Sequence, residues 1–500
     1  MSSSFFRLLP SVVATLGVAT VCVACKPALS PSPITPATAE PEPQSAVQQP
    51  APDLVSLEAA LANRYVTPDV STEVLARLTV RSEAIADRPR PPANISLVID
   101  TSASMRGEAI EHAREAAKAL VQDLEKGDRV SVVAFHSRGD VLVASVELDD
   151  ENRRQVLDAL EGLEATGTTA LAEGLALGMQ QLQVDRRSDV VSRMVLLSDG
   201  VPNDQARARQ VGATLAASSI SLTALGLGLE FDEVLLAELA SRCGGRFHYV
   251  EDAQQVAKMF QEEILDIEQL VAQGAVLELR AGPGVSILEV VGRSQAQAGV
   301  QTASVPVGDL VENDAREVVI RLAVDAHRDG ASIELLDASL RYSDATAGAG
   351  TLQDSVFVAA EATADEAERR AGRDRETELV AVRALTASAA LQAVAFARSG
   401  DVKRAKALVE TSEKRARTLA KSEQDAGLKA LADDLVKIRG TLSSLAPKRV
   451  SSANRGPAVG SRPHKKSKRG MPSPASAPQL GLAEAQGMRG AHGRAFEALH

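Results

Sequence analysis

The sequence predicts an α/β domain with a mostly parallel sheet and helices on both faces, an antiparallel β-sandwich, and a C-terminal helical hairpin. From residue 92 to 270, short apolar runs alternate with amphipathic helical stripes, as they do where a parallel sheet is covered on both sides. From 271 to 361 the stripes give way to short alternating segments separated by Gly and Pro, the signature of antiparallel strands. From 362 to 446 helix formers dominate, interrupted at Ser399-Gly400-Asp401, where Gly can end one helix and Asp can cap the next. With 500 residues, 45% of them hydrophobic, the chain is long enough for more than one core.

The elements follow in order. Residues 1–25 read as an export signal: Arg7, an apolar run from Leu8 through Val23, then Ala24 and Cys25. The ending resembles a bacterial lipoprotein signal, which implies cleavage before Cys25, lipidation of its thiol and a membrane anchor at the cell envelope. Cys22 and Cys25 also have CxxC spacing, but a signal segment has no fold to position two thiols. Residues 26–52 hold eight of the 22 prolines and form an extended tether. In the segment 53–91, Val74, Ala76, Leu78 and Val80 alternate with other residues as in a half-buried strand. That strand has no evident local partner and is expected to join the sandwich.

Within 92–270 the expected strands are Ile95–Asp100, Arg129–Phe135, Val141–Leu148, Arg193–Ser198, Ser219–Gly228 and Arg246–Val250. Ile110, Ala113, Ala117, Val121 and Leu124 mark one helical stripe, and Leu171, Leu175, Met179 and Leu182 mark another. Asp252 is expected to cap a last helix running through Leu270. In the hairpin, Ala384, Ala387, Leu391 and Val394 are expected to pack on Ala405, Leu408 and Val409. Residues 447–500 carry ten Lys or Arg against Glu484 and Glu497 and read as a disordered basic tail. The folded middle is therefore more acidic than the net charge of −11 suggests.

The chemistry concentrates at Asp100-Thr101-Ser102-Ala103-Ser104, directly after the first strand of the α/β segment. Ligands of open parallel sheets bind at that edge. A carboxylate followed by hydroxyls two and four residues on can turn three hard oxygens to one point, which suits Mg²⁺, Mn²⁺ or Ca²⁺ rather than zinc. Two further loops offer similar donors: Thr169 in Gly167-Thr168-Thr169-Ala170-Leu171, and Asp199 in Leu196-Leu197-Ser198-Asp199-Gly200. A lone Asp followed by serines is an ordinary turn or cap, but three pieces on three loops are not.

Together these pieces resemble the metal-ion-dependent adhesion site of von Willebrand factor type A domains, over about 180 residues. The resemblance implies a Rossmann-like fold and a divalent ion, Mg²⁺ first, with Mn²⁺ or Ca²⁺ possible. It assigns the metal to Asp100, Ser102, Ser104, Thr169 and Asp199. It further implies a partner protein whose Asp or Glu completes the coordination, with no catalysis. Ala103 stands where the family more often has Gly, and a small side chain still fits there.

Other chemistries are weaker. An aspartyl-phosphate hydrolase resembles this strand end but carries a second Asp where this chain has Ser102. Only His136 of the seven histidines lies just past a strand end, which suits a surface loop better than a triad. Gly226 and Gly228 lack the third glycine of a dinucleotide fingerprint. Cys243 reads as a buried structural thiol. Aromatic residues are 2% and Trp is absent, which argues against nucleic-acid stacking; the Lys465–Arg469 cluster reads as a solvated tail. The expected function is divalent-cation-dependent protein binding at the cell envelope. Two alternatives stand beside it: an accessory subunit of an ATPase or chelatase complex, which an export signal disfavours, and a structural envelope protein whose site stays closed.

Overall fold

The computed structural model describes residues 54–84, 90–185, 187, 190–218, 220–228, 231–250, 258–259, 262, 266–293, 300–345, 350–444, 491–492, 494–496 and 498–499. Cys25, the export signal and the tether lie outside them, as does most of the helix expected after Asp252.

A six-stranded sheet is centred on β4 (Ala93–Asp100), all eight residues of which are buried. β5 (Arg129–Phe135) and β7 (Val191–Ser198) flank it in parallel. β8 (Ser221–Leu227) and β9 (Phe247–Val250) continue the parallel order beyond β7, and β6 (Gly139–Glu147) closes the other edge antiparallel. The pleat sends successive side chains to opposite faces. Ile95, Leu97 and Ile99 meet α1 (Glu108–Asp123) and α2 (Asp150–Glu161). Val98 and Leu196 meet α3 (Leu171–Leu182), α4 (Gln205–Ala217) and α5 (Glu233–Arg242). α2 and α4 were not visible as stripes, because each buries only two or three side chains or glycines.

The sandwich has two antiparallel layers apart from one short parallel pair. One runs β1 (Val55–Leu61), β3 (Thr72–Ser82), β13 (Ala315–Val324), β11 (Val285–Val290). The other runs β12 (Thr302–Val311), β10 (Leu270–Ala281), β14 (Ser332–Asp344), β15 (Thr351–Ala362), β2 (Tyr65–Val66). Ala76, Leu78, Val80, Leu277, Leu279, Ile320, Leu322 and Leu340 fill the space between. The strand expected at Val74, Ala76, Leu78 and Val80 has a local partner after all: β1 pairs with it from Val55↔Ser82 to Leu61↔Ala76. β1 escaped notice because, as an edge strand, it buries only Val55 and Leu57.

After the sandwich the described residues form α6 (Glu366–Ala371), α7 (Arg375–Arg398), α8 (Val402–Glu423) and α9 (Ala426–Ser444). Asp374 caps α7 by accepting from Glu376 N and Thr377 N, and Asp401 caps α8 after Gly400 turns at φ +87°. α7 is long and apolar enough to cross a membrane by composition, yet just over half of its apolar window is buried in the protein. Ala384, Ala387 and Val394 pack with Ala405, Val409, Leu435 and Ile438, and on Val319 of β13.

The expectation of a disordered tail over 447–500 is corrected at its end. Ala491, His492, Ala495, Phe496 and Leu499 are buried, and Arg494 bonds both carboxylate oxygens of Asp434 at 2.8 and 2.6 Å. Phe496 meets the Phe247 ring edge-on, centroids 5.7 Å apart. Apolar spacing this short is lost within a basic, Pro-rich stretch when the sequence is read alone.

Candidate functional site

β4 delivers Asp100 to the carboxyl edge of the parallel sheet, fully buried. The chain then breaks out of the strand because Thr101 is held sideways: its N–H and hydroxyl both donate to the Phe135 carbonyl, at 2.8 and 3.2 Å. Ser102 turns back, its N–H donating to Asp100 Oδ1 at 2.8 Å, and a short 3₁₀ turn over Ala103–Met105 follows. This is how residues two apart bring hydroxyls over the carboxylate.

The second and third loops are laced to the first by backbone. Thr166 N donates to Thr101 O at 2.7 Å, Ala103 N to Gly167 O at 3.1 Å, and Asn203 N to Thr169 O at 3.1 Å. Gly167 adopts φ +77°, and a Cβ there would lie 2.5 Å from Ser137 Oγ, so the loop needs glycine twice over.

The five predicted donors come together. Ser102 Oγ lies 2.9 Å from Ser104 Oγ, and Ser104 Oγ donates to Asp199 Oδ1 at 2.7 Å. A Cβ on Gly200 would stand 2.7 Å from Thr169 Oγ1 and 3.5 Å from Ser104 Oγ, which places Thr169 against the same cluster. Two carboxylates are thus bridged by two hydroxyls, with a third hydroxyl beside them. Asp100, Ser102, Thr169 and Asp199 are at most 8% exposed, whereas Ser104 faces solvent.

Burial pushes the Asp100 pKa up, opposed by hydrogen bonds from Ser198 and Ser102. Ser198 Oγ donates to Asp100 Oδ2 at 2.6 Å. The hydrogen-bond partners of Asp100 are hydroxyls and an amide, none of them a cation. A buried carboxylate without a cation is costly, and a hard divalent ion is the partner this donor set fits. Among the described residues no three His, Cys, Asp or Glu gather into a metal cluster, so an ion here would rest on two carboxylates and three hydroxyls.

Ser198 and Gly200 were quoted in the sequence only as neighbours of Asp199, and their roles emerge here. Ser198 orients Asp100 from the adjacent strand, and Gly200 leaves room for Thr169. Their signal was positional, flanking an acid at a strand end. His136 sits on the rim, its Nδ1 accepting from Ser137 N at 2.7 Å and its Nε2 3.5 Å from Asp140. Cys243 is buried, and burial pushes its thiol up to about 12, so it stays protonated and inert at neutral pH.

Comparison with known proteins bears on this edge. The von Willebrand factor type A domain model matches residues 94–262. The protein sll0103 of Synechocystis sp. is 28% identical over 285 residues, covering 54% of this chain and 66% of that one. YfbK of Escherichia coli is 24% identical over 270 residues, 51% of this chain and 46% of that one. Human inter-alpha-trypsin inhibitor heavy chain H4 is 28% identical over 186 residues, 35% of this chain and 20% of that one. The chain therefore spans less than two thirds of the length of each of these relatives. Among solved structures, a von Willebrand factor type A protein from Catenulispora acidiphila superposes with a TM-score of 0.62 at 18% identity, covering 87% of this chain and 95% of that one. The ArnB paralog VWA2 from Sulfolobus acidocaldarius gives 0.54 at 18% identity, covering 78% and 98%. With its parallel sheet, two helical faces and matching sequence, the segment 94–262 is a von Willebrand factor type A domain.

Proposed function

We propose that this domain is a divalent-cation-dependent protein-binding module, without catalytic activity, on an exported protein anchored at the cell envelope through lipidated Cys25. The ion would be held by Asp100, Ser102, Ser104, Thr169 and Asp199, with Mg²⁺ the first candidate and Mn²⁺ or Ca²⁺ next. When bound, it supplies positive charge and a coordination position that an Asp or Glu of a partner protein can occupy. The observation that supports this most is the file Asp100–Ser102–Ser104–Asp199, two buried carboxylates joined by two hydroxyls at a sheet edge, with Ser104 open to solvent.

The test is thermal unfolding with Mg²⁺ and with EDTA. Saturating metal at about 100 times its Kd stabilises a folded protein by about 2.7 kcal/mol. The wild type is expected to gain Tm with Mg²⁺ and Asp100→Ala to gain none; a wild type indifferent to metal rejects the reading and leaves the closed structural site. Fractionation tests the anchor: Cys25→Ala should leave the membrane fraction, and a variant that stays there removes the lipid from the account.

A further inference from the structure

A cleft of about 510 Å³ opens between β2, β3, α6 and α8, apart from the sheet edge that carries Asp100. Arg369, Arg370, Arg373 and Arg415 all line it, facing Glu73, Glu366 and Glu378. Each glutamate is already engaged by an arginine. Glu73 accepts from Arg321 at 2.9 and 3.0 Å, Glu378 from Arg373 at 2.8 and 2.6 Å, and Glu366 from Arg370 one helical turn on.

Two guanidinium groups are left over. Among the described residues, the Arg369 side chain donates only to the Thr363 carbonyl, and Arg415 acts on Glu73 through space without a hydrogen bond or ion pair. They stand on different walls, Arg369 on α6 and Arg415 on α8.

The α6 wall is held rigidly. Asn63 Nδ2 donates to Arg369 O at 2.9 Å, Arg64 N to Gly372 O at 3.2 Å and Asp374 N to Ala62 O at 3.0 Å. Gly372 lies so close to Tyr65 that a Cβ would meet its ring at 2.4 Å. A preorganised wall loses little entropy on binding. Guanidinium forks match phosphate and carboxylate geometry, and the volume is that of a small-molecule site.

We propose that this cleft binds a small polyanion whose two anionic ends are held by Arg369 and Arg415. The chemistry is shared by diphosphates and dicarboxylates, and the site needs no metal.

The full-chain protein, stripped with EDTA, is titrated calorimetrically with pyrophosphate and separately with glutarate, at about 0.15 M salt where loose surface attraction is screened. Saturable one-site binding of either probe is expected, and the tighter of the two names the anion class. Arg415→Gln, an exposed position on α8 that leaves packing intact, should weaken it about tenfold, while Asp100→Ala should bind as wild type. Arg369→Gln is the second variant, although losing its bond to Thr363 can also loosen α6. The proposal is overturned if neither probe saturates, or if Arg415→Gln binds as tightly as wild type. Either failure leaves the metal-site reading untouched, since that site is empty in EDTA.

Discussion

The six-stranded sheet and the sandwich are built on opposite principles. In the sheet, β4 pairs with β5 and β7, and helices connect β4 to β5, β6 to β7, β7 to β8 and β8 to β9, so every pairing lies within the one stretch 93–250. In the sandwich, β3 lies between β1, twenty-odd residues away, and β13, with Leu78 opposite Val318. The α/β domain is inserted between β3 and β10 of the sandwich. A site built on strand-end loops can thus be specified by short motifs, whereas its scaffold closes only when both flanks of the insertion meet.

The junction shows how the two are tied. Arg193 of β7 pairs with Asp309 of β12 at 2.9 Å, both nearly buried, and Asp309 also accepts from Gly274 N at 3.0 Å. Gly244 and Gly308 touch backbone to backbone, so that a Cβ on Gly308 would lie 1.9 Å from Gly244 O. The largest effect is therefore expected from Arg193→Met, which strands a buried carboxylate and should cost about 3–5 kcal/mol. Denaturant unfolding followed by near-UV and far-UV signals reads it; an unchanged midpoint would mean the two regions are not coupled through this pair.

Next comes Leu78→Ala, within the sandwich core and fully buried. Its expected cost is about 2–5 kcal/mol, depending on how far the cavity collapses. Metal titration of the folded fraction should be unaltered, and a parallel loss of metal affinity would show the comparison drawn above to be too sharp.

Gly200→Ala acts the other way round. Its methyl would crowd Thr169 Oγ1, so metal affinity should fall about tenfold or more, with little change in unfolding midpoint in EDTA. Equal metal affinity in the variant would remove Thr169 from the donor set.

The effect that is smallest at neutral pH concerns His492. Burial, with Arg398 nearby, lowers its pKa to about 3. Its ring packs edge-on to Phe247 at 5.9 Å, and Arg494 with Asp434 forms the adjacent ion pair. Between that value and its unfolded pKa near 6.5 the unfolded chain holds the proton and the folded chain does not. Stability therefore falls as pH drops below about 6.5, by up to about 1.4 kcal/mol per pH unit. His492→Phe should flatten that slope; identical pH curves for both proteins would mean the C-terminal residues detach before the ring titrates.

Much of the candidate site was legible because it is local. Asp100, Ser102 and Ser104 lie within five residues, and Thr169 and Asp199 follow recognisable glycine-flanked loops or apolar strands. Ser198 was harder to assign, since a serine at a strand end reads as filler until its hydroxyl is seen 2.6 Å from Asp100 on the neighbouring strand. The β1–β3 pairing, the packing of the C-terminal residues around Phe496 and the arginine cleft left weaker traces still, because each joins segments whose separation no periodicity encodes.

By itself the sequence determined the alternation of strands and helices, the sheet edge on which Asp100 sits and the hard-oxygen character of its loop. These follow from residue types and spacings over a few turns of chain. Tertiary structure alone decided that a sandwich embraces the domain, that Arg193 meets Asp309, and that Arg369 and Arg415 share one cleft. Such contacts depend on which surfaces exclude water together, and that is settled only when distant segments compete for the same buried area.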